Sequence, residues 1–205
     1  MKPKTCIVAG AASGIGKTAA TALARRGHRV VLASRDAQQA AVDLGRRASI
    51  HTFTDRMHRE LDEVDVLIVH SADFDGFRAE RATTPDGFET TWATHHLGPV
   101  LLINRLMNLL IASPQGRIVN LSSGGLWMHP LLTVDLKDPM FGKRPYSCQK
   151  AYCQSQLAQL MFTRWLAGRL PGTMVTANCV RIGGMPGNSA KPPWMERIQI
   201  GRAHV

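Results

Sequence analysis

The strongest constraint on this chain is the stretch Cys6-Ile7-Val8-Ala9-Gly10-Ala11-Ala12-Ser13-Gly14-Ile15-Gly16-Lys17-Thr18. An apolar run ends in a glycine-rich turn and continues into an alanine-rich segment compatible with a helix. A strand, a bare-backbone turn and a helix N-terminus together form a cradle for a phosphate. Glycines admit the anion close to the main chain, and exposed amides and the helix dipole hold its charge. Two spacings fit the stretch. Gly10, Gly14 and Gly16 give the GxxxGxG of a dinucleotide-binding turn. Ala11 to Thr18 nearly gives the P-loop GxxxxGK[ST], with Ala11 at the place of its first glycine.

The segments that follow predict an α/β chain. Lys4 to Ala9 reads as a buried strand, Gly14 to Arg26 as a helix stopped by Gly27, and Arg29 to Ala33 as a second buried strand. That unit predicts a Rossmann-like, doubly wound parallel sheet with helices on both faces. Ala37 to Arg47 is helix-compatible, and Ser49 to Leu61 more clearly so. Val64 to Val69 is a third strand, followed by a loop through Gly76. Thr84-Pro85-Asp86 reads as the cap of a long helix from Gly87 to Ala112, relaxed near Gly98-Pro99. Arg117 to Leu121 is a strand that runs into Ser122-Ser123-Gly124-Gly125, and a Pro- and Gly-spaced loop reaches to Pro145. Ser147 to Leu170 is a helix stopped by Pro171-Gly172, and Thr173 to Val180 a last strand. No repeat or low-complexity linker interrupts the chain, which predicts a single domain.

The strand ends weigh against a P-loop. A phosphotransferase of that type needs an apolar strand ending in Asp to help hold Mg²⁺. Val64 to Val69 ends in His70-Ser71-Ala72 instead, and Arg117 to Leu121 ends in serines. Lys17 and Thr18 then belong to the first turn of an ordinary helix. Ser34-Arg35-Asp36 closes the second strand, where dinucleotide folds meet the adenosine ribose. An arginine there accommodates a 2′-phosphate, so Arg35 points to NADP(H) over NAD(H).

Composition narrows the partners. With 25 Lys+Arg against 15 Asp+Glu the formal charge is +10, but the basic residues come only as dispersed pairs such as Arg25-Arg26 and Lys143-Arg144. No basic run with interleaved aromatics argues for nucleic acid. Cys6, Cys148, Cys153 and Cys179 form neither a CxxC pair nor a zinc spacing, so no metal site is expected and the chain reads as intracellular. The longest apolar stretch, Leu97 to Ala112, is broken by Asn104, Arg105 and Asn108, so no membrane span is expected.

Gly10-xxx-Gly14-Ile15-Gly16, Ser34-Arg35-Asp36, Asp65-Val66-Leu67-Ile68, His96-Leu97-Gly98, Arg117 to Ser123, Ala151-Tyr152-Cys153-Gln154-Ser155 and Val175-Thr176-Ala177-Asn178 occur in one order over Lys4 to Gly183. Together they resemble the short-chain dehydrogenase/reductase family, nearest its retinol-dehydrogenase-like branch. The resemblance implies hydride transfer between a nicotinamide and a small lipophilic alcohol or carbonyl, retinoid- or steroid-like. It also implies a homodimer built on the two long helices, and a place in the cytoplasm or at the periphery of an intracellular membrane. Gly10, Ser13, Gly14, Ile15, Gly16, Arg35, Asp43, Ser71 and Ala72 fall at the family's cofactor-binding positions. Ser123 falls at the serine that hydrogen-bonds the substrate oxygen, and Tyr152 at the tyrosine that moves its proton.

The chain departs from the family's chemistry in several places. A phenol of pKa about 10 is a weak base near neutrality unless a positive charge stabilises its phenolate. In the family a lysine four residues on supplies that charge and holds the nicotinamide ribose. Here that position is Gln156, which can bond a ribose but carries no charge. The pair Tyr146 and Lys150 satisfies YxxxK literally and stands as the competing assignment, although it spoils the downstream register. His95 replaces the family's asparagine, and Val69-His70-Ser71-Ala72 replaces Asn-Asn-Ala-Gly. Asp43 is open to two readings. It either approaches the adenine from a third strand at Ala41-Val42-Asp43-Leu44, with most of a preceding helix missing, or lies solvated within a plain helix.

After the last strand, Ile182-Gly183 replaces the family's Pro-Gly, and too few residues follow for a substrate-binding helix and a further strand. Ile200 to Val205 resembles translated sequencing adapter. The expectation is a cofactor-binding unit over 1–183 that lacks the C-terminal strand and substrate-binding part, followed by a non-native or disordered tail over 184–205.

Overall fold

The structure, a computed structural model, describes residues 2–12, 14–35, 41–71, 80–123, 126 and 131–182. Five parallel strands form one sheet: β1 (Thr5–Ala9), β2 (Arg29–Ala33), β3 (Val66–Val69), β4 (Arg117–Ser123) and β5 (Thr176–Ile182). Their order is β2-β1-β3-β4-β5, so the chain moves outward one way from β1 and then crosses back to build the other half. The crevice at that switch lies above the C-terminal ends of β1 and β3, where open α/β sheets bind ligands.

Alternation along the strands sends side chains to two faces. Ile7, Leu67, Val69 and Ile118 join a large core with helices α2 (Arg47–Glu60), α4 (Gly98–Ala112) and α5 (Cys148–Ala167). Val8 faces the other way, with Ala20 of α1 (Gly14–Arg25) and half-buried Val30 and Ile68. Ile7, Leu67, Leu102, Ile103, Leu106, Leu110 and Ile118 are fully buried. Each such side chain contributes about 1.5–3 kcal/mol of burial. At the N-terminal edge, buried Asp65 accepts the Thr5 amide at 2.8 Å and the Ser113 hydroxyl at 2.7 Å, tying β1 to the turn before β4.

Two expectations about helices need correction. Residues 41–46 are not helical. Ala41 bridges Ser34 in parallel and the Val42 amide donates to the Ser34 carbonyl beside the end of β2, after which a turn at Leu44-Gly45 is closed by the Arg46 amide on the Asp43 carbonyl. Asp43 therefore lies neither within a helix nor on a formed strand, and α2 follows from Arg47. Residues 36–40 lie outside the described residues.

The long middle helix begins at Thr90 rather than Gly87, and Thr84-Pro85-Asp86 is not its cap. Gly87 has φ +83° and closes a turn onto Thr84, while Asp86 pairs with Arg47. Glu89 is the cap: its carboxylate accepts the Thr91 amide at 2.9 Å and the Trp92 amide at 2.7 Å. The helix runs as α3 (Thr90–Trp92), a π-turn (Ala93–Leu97) and α4. The π-turn lies where relaxation was expected. Pro99 has no amide to give to His95, and Gly98 bonds back to the carbonyl of Ala93. A Cβ on Gly98 would sit 2.0 Å from the Leu44 carbonyl oxygen, so the 41–46 segment presses on the helix there.

Candidate active site

The glycine turn is assembled by close backbone approach. Gly10 has φ +81°, donates its amide to the Ala33 carbonyl at 2.8 Å, and lies so near β3 that a Cβ would be 1.7 Å from the His70 carbonyl oxygen. Gly14 has φ +54°, and a Cβ on Gly16 would be 2.2 Å from the Gly10 carbonyl oxygen. A bare turn thus opens directly onto the N-terminus of α1, a cradle that fits a pyrophosphate. Ile15 is half-buried beside it. Ser13 and Ala72 lie outside the described residues. Lys17 and Thr18 are exposed, and the Thr18 hydroxyl donates to the Gly14 carbonyl within the helix.

The remaining stations sit on the same rim. Arg35 is exposed just past β2. Asp43 is half-buried and its carboxylate accepts the Gly45 amide at 2.8 Å, while its own amide donates to the Ser49 hydroxyl. Ser71 follows β3, Ser123 ends β4, and Tyr152 and Gln156 project from one face of α5 toward them.

Five of the sequence-derived residues come together. Tyr152 is hydrogen-bonded to Ser123. Its ring stands at 89° to that of His95, with centroids 5.3 Å apart. His95 is buried on the π-turn, and its Nδ1 is 2.8 Å from the Ser71 hydroxyl and 3.2 Å from Gln156 Nε2. Gln156 is itself buried, and its Oε1 has no hydrogen-bond partner among the described residues. Burial pushes the Tyr152 phenol up, against the hydrogen bond with Ser123, which pulls it down. The phenol is therefore protonated at neutral pH.

The competing pair does not converge. Tyr146 precedes the helix, and its hydroxyl donates to the buried Glu89 carboxylate at 3.1 Å. Lys150 is exposed, and its amide is capped by the Ser147 hydroxyl at 3.3 Å. Burial, with the Glu89 charge adding to it, raises the Tyr146 phenol. The YxxxK spacing here joins a tyrosine bonded to Glu89 with a lysine in the first turn of α5.

Some structurally important residues escaped the sequence reading. Glu89 joins the helix bearing His95 to the approach of α5, and its signal was an acidic residue just before Thr90-Thr91. Gln154 accepts the Asp135 amide and Arg144 Nη2 and donates to the Pro139 carbonyl at 2.7 Å, fastening the 131–147 loop onto α5. A cleft of about 560 Å³ lies under that loop, lined by Leu131, Leu132, Phe141 and Cys153 among others. It follows α5 on the side of Gln149, Cys153 and Gln154, and Tyr152 is not in its lining. Among the described residues no group of three His, Cys, Asp or Glu is placed to hold a metal ion.

These contacts can be set beside known proteins. The model of the short chain dehydrogenase family matches residues 4–130. Human retinol dehydrogenase 13 is 38% identical over 218 aligned residues, covering 97% of this chain and 61% of that protein. Bovine retinol dehydrogenase 12 is 36% identical, covering 88% of this chain and 61% of that protein. The chain thus spans about three fifths of the length of the curated relatives it matches. An uncharacterized protein from Mycobacterium paratuberculosis has a similar crystal structure, with TM-score 0.73 and 34% identity over 90% of this chain and 70% of that one. Pseudomonas aeruginosa RhlG, solved with NADP, shares the fold at TM-score 0.68 and 22% identity, covering 89% of this chain and 73% of that one. Family model and the β2-β1-β3-β4-β5 sheet agree: the chain belongs to the short-chain dehydrogenase family.

Proposed function

We propose that the protein is an NADP(H)-dependent oxidoreductase acting on a lipophilic alcohol or carbonyl, with residues 1–183 forming its cofactor-binding unit. The observation that carries this reading is the hydrogen bond between Tyr152 and Ser123 at the end of β4, on the same rim as the Gly10 turn. Gly10, Ser13, Gly14, Ile15 and Gly16 would hold the pyrophosphate, Arg35 the 2′-phosphate and Asp43 the adenine. Ser71 and Ala72 would border the nicotinamide, and buried Gln156 Oε1 offers an acceptor to its ribose. When bound, the nicotinamide supplies or accepts the hydride.

The residues of the chain handle the oxygen. Ser123 holds the substrate oxygen through its hydroxyl, and Tyr152 gives it a proton during carbonyl reduction or takes one during alcohol oxidation. With the phenol raised by burial and no lysine at 156, the protonated form that reduction requires is the resting form. The branch's relatives are retinol dehydrogenases by name, which supports a lipophilic substrate such as a retinoid. No helix among the described residues is long and apolar enough to cross a membrane. A place in the cytoplasm or against an intracellular membrane is part of this proposal. So is a homodimer through α4 and α5, where Ile111, Met161 and Trp165 are exposed.

Fluorescence titration with NADPH, NADH and ATP-Mg²⁺, followed by carbonyl reduction assays, tests the reading. Tight NADPH binding with turnover supports it. ATP-Mg²⁺ binding without NADPH binding contradicts it.

A further inference from the structure

Two departures from the family touch each other. Gln156, at the lysine position, is 3.2 Å from His95 Nδ1, and His95 stands at the asparagine position. Both side chains are buried, on different helices. With the imidazole neutral and Nδ1 accepting, Gln156 donates its amide N–H and leaves Oε1 buried without a partner among the described residues. Turning the amide exchanges these atoms, so that Oε1 accepts a proton carried on Nδ1 and Nε2 takes the place Oε1 left. The Ser71 hydroxyl, 2.8 Å from Nδ1, can rotate to donate or to accept. The Gln156 amide can therefore present a complementary atom to either charge state of the ring. Its ring also lies against Tyr152, close enough for a charge to act on the phenol.

We propose that His95 and Gln156 together replace the family's fixed lysine cation with a proton that comes and goes. His95 takes the proton on Nδ1, the Gln156 amide turns so that Oε1 accepts a hydrogen bond from it, and the charged imidazole stabilises the Tyr152 phenolate left when Tyr152 gives its proton to the substrate oxygen. This rests on the oxidoreductase reading above. In the reduction the carbonyl carbon gains the hydride from the reduced nicotinamide, and the oxygen gains the Tyr152 proton. The phenolate then recovers a proton from water. His95 acts through its charge on Tyr152, so it is a positioning residue.

Among the described residues, titratable groups on the surrounding elements include Tyr152 and Cys153 on α5, His70 just after β3, and Glu89 and His96 on the helix of His95 itself. His70 is lowered by burial. His96 is lowered by burial more than its bond to Gln159 raises it. Glu89 is engaged by two helix amides and Tyr146. Lys150 is exposed at the start of α5.

The test combines NMR titration of the histidine rings with pH profiles of NADPH-dependent carbonyl reduction, on the full chain. His95→Asn assigns the His95 signal among the eight histidines. We expect Gln156→Glu to raise the His95 midpoint by at least about 1 pH unit, the low end of the effect of a neighbouring opposite charge. Gln156→Leu, which removes the acceptor, lowers it. We expect reduction by the unmodified chain to fall about 10-fold as pH rises through that midpoint, a step missing in His95→Asn, which still binds NADPH. A midpoint unmoved in both Gln156 variants, one raised by Gln156→Leu, or the same pH step in His95→Asn overturns the proposal. A chain that binds NADPH yet reduces no carbonyl at any pH contradicts the oxidoreductase reading instead. The NMR titrations then decide the His95–Gln156 pairing by themselves.

Discussion

The Tyr146 hydroxyl donates to the Glu89 carboxylate at 3.1 Å, joining the residue before α5 to the cap of the helix that carries His95. Hydrogen bonds to charged groups contribute more than neutral ones. Tyr146→Phe is expected to cost about 1–2 kcal/mol in denaturant unfolding, since the bond is partly exposed, while leaving most of the reductase activity. Glu89→Ala, which also removes the cap, costs more.

Gly10→Ala places a Cβ against the His70 carbonyl at a φ of +81°. The backbone strain alone costs about 1–3 kcal/mol, and the clash forces the turns after β1 and β3 apart. A lower melting temperature and loss of NADPH fluorescence enhancement are the expected outcomes. A stable variant with unaltered NADPH binding would remove this turn from the cofactor site.

The parallel sheet was legible because its strands are short apolar runs bounded by glycine, proline or serine, as with Cys6 to Ala9 before Gly10 and Ile118 to Leu121 before Ser122. The middle helix was legible in extent but not in its start. Gly87 and Asp86 carry ordinary cap chemistry, and only the fold shows that Asp86 is taken by Arg47 and the cap falls to Glu89. Composition could not decide whether Ala41 to Leu44 was helix or strand, because pairing with Ser34 is a long-range choice. Tyr152 and Ser123 were singled out through their register, and Tyr146 competed because a four-residue spacing carries no record of where a helix begins. The contact between His95 and Gln156 was not legible. Each was visible only as a departure from pattern, and their meeting depends on how α5 packs on the π-turn.

Burial pushes the Cys179 thiol up to about 11 from 9, against the nearby Ser122 and Thr163 hydroxyls, which pull it down. A raised native pKa means that the unfolded chain releases its proton first. The contribution is complete below pH 9 and is lost as pH climbs toward 11. The two phenols, also raised mainly by burial, add to the loss above about pH 10. Chemical denaturation between pH 8 and 11 should show falling stability, with about 2 kcal/mol of the fall absent in Cys179→Ala.

Arg35 lies exposed past the end of β2, where a 2′-phosphate would be met. Arg35→Asp is expected to weaken NADPH binding by about 10- to 100-fold and to leave NADH binding unchanged or improved, consistent with the loss of a charge-assisted contact. Equal losses for both cofactors would mean that Arg35 does not read the phosphate.

The most direct test compares NADPH-dependent reduction of a retinoid-like carbonyl by the unmodified chain, Tyr152→Phe and Tyr146→Phe, with NADPH affinity measured in parallel. The account predicts a loss of at least about 100-fold in Tyr152→Phe with NADPH affinity kept, and near-full activity in Tyr146→Phe. Activity that survives Tyr152→Phe but disappears in Tyr146→Phe would contradict it.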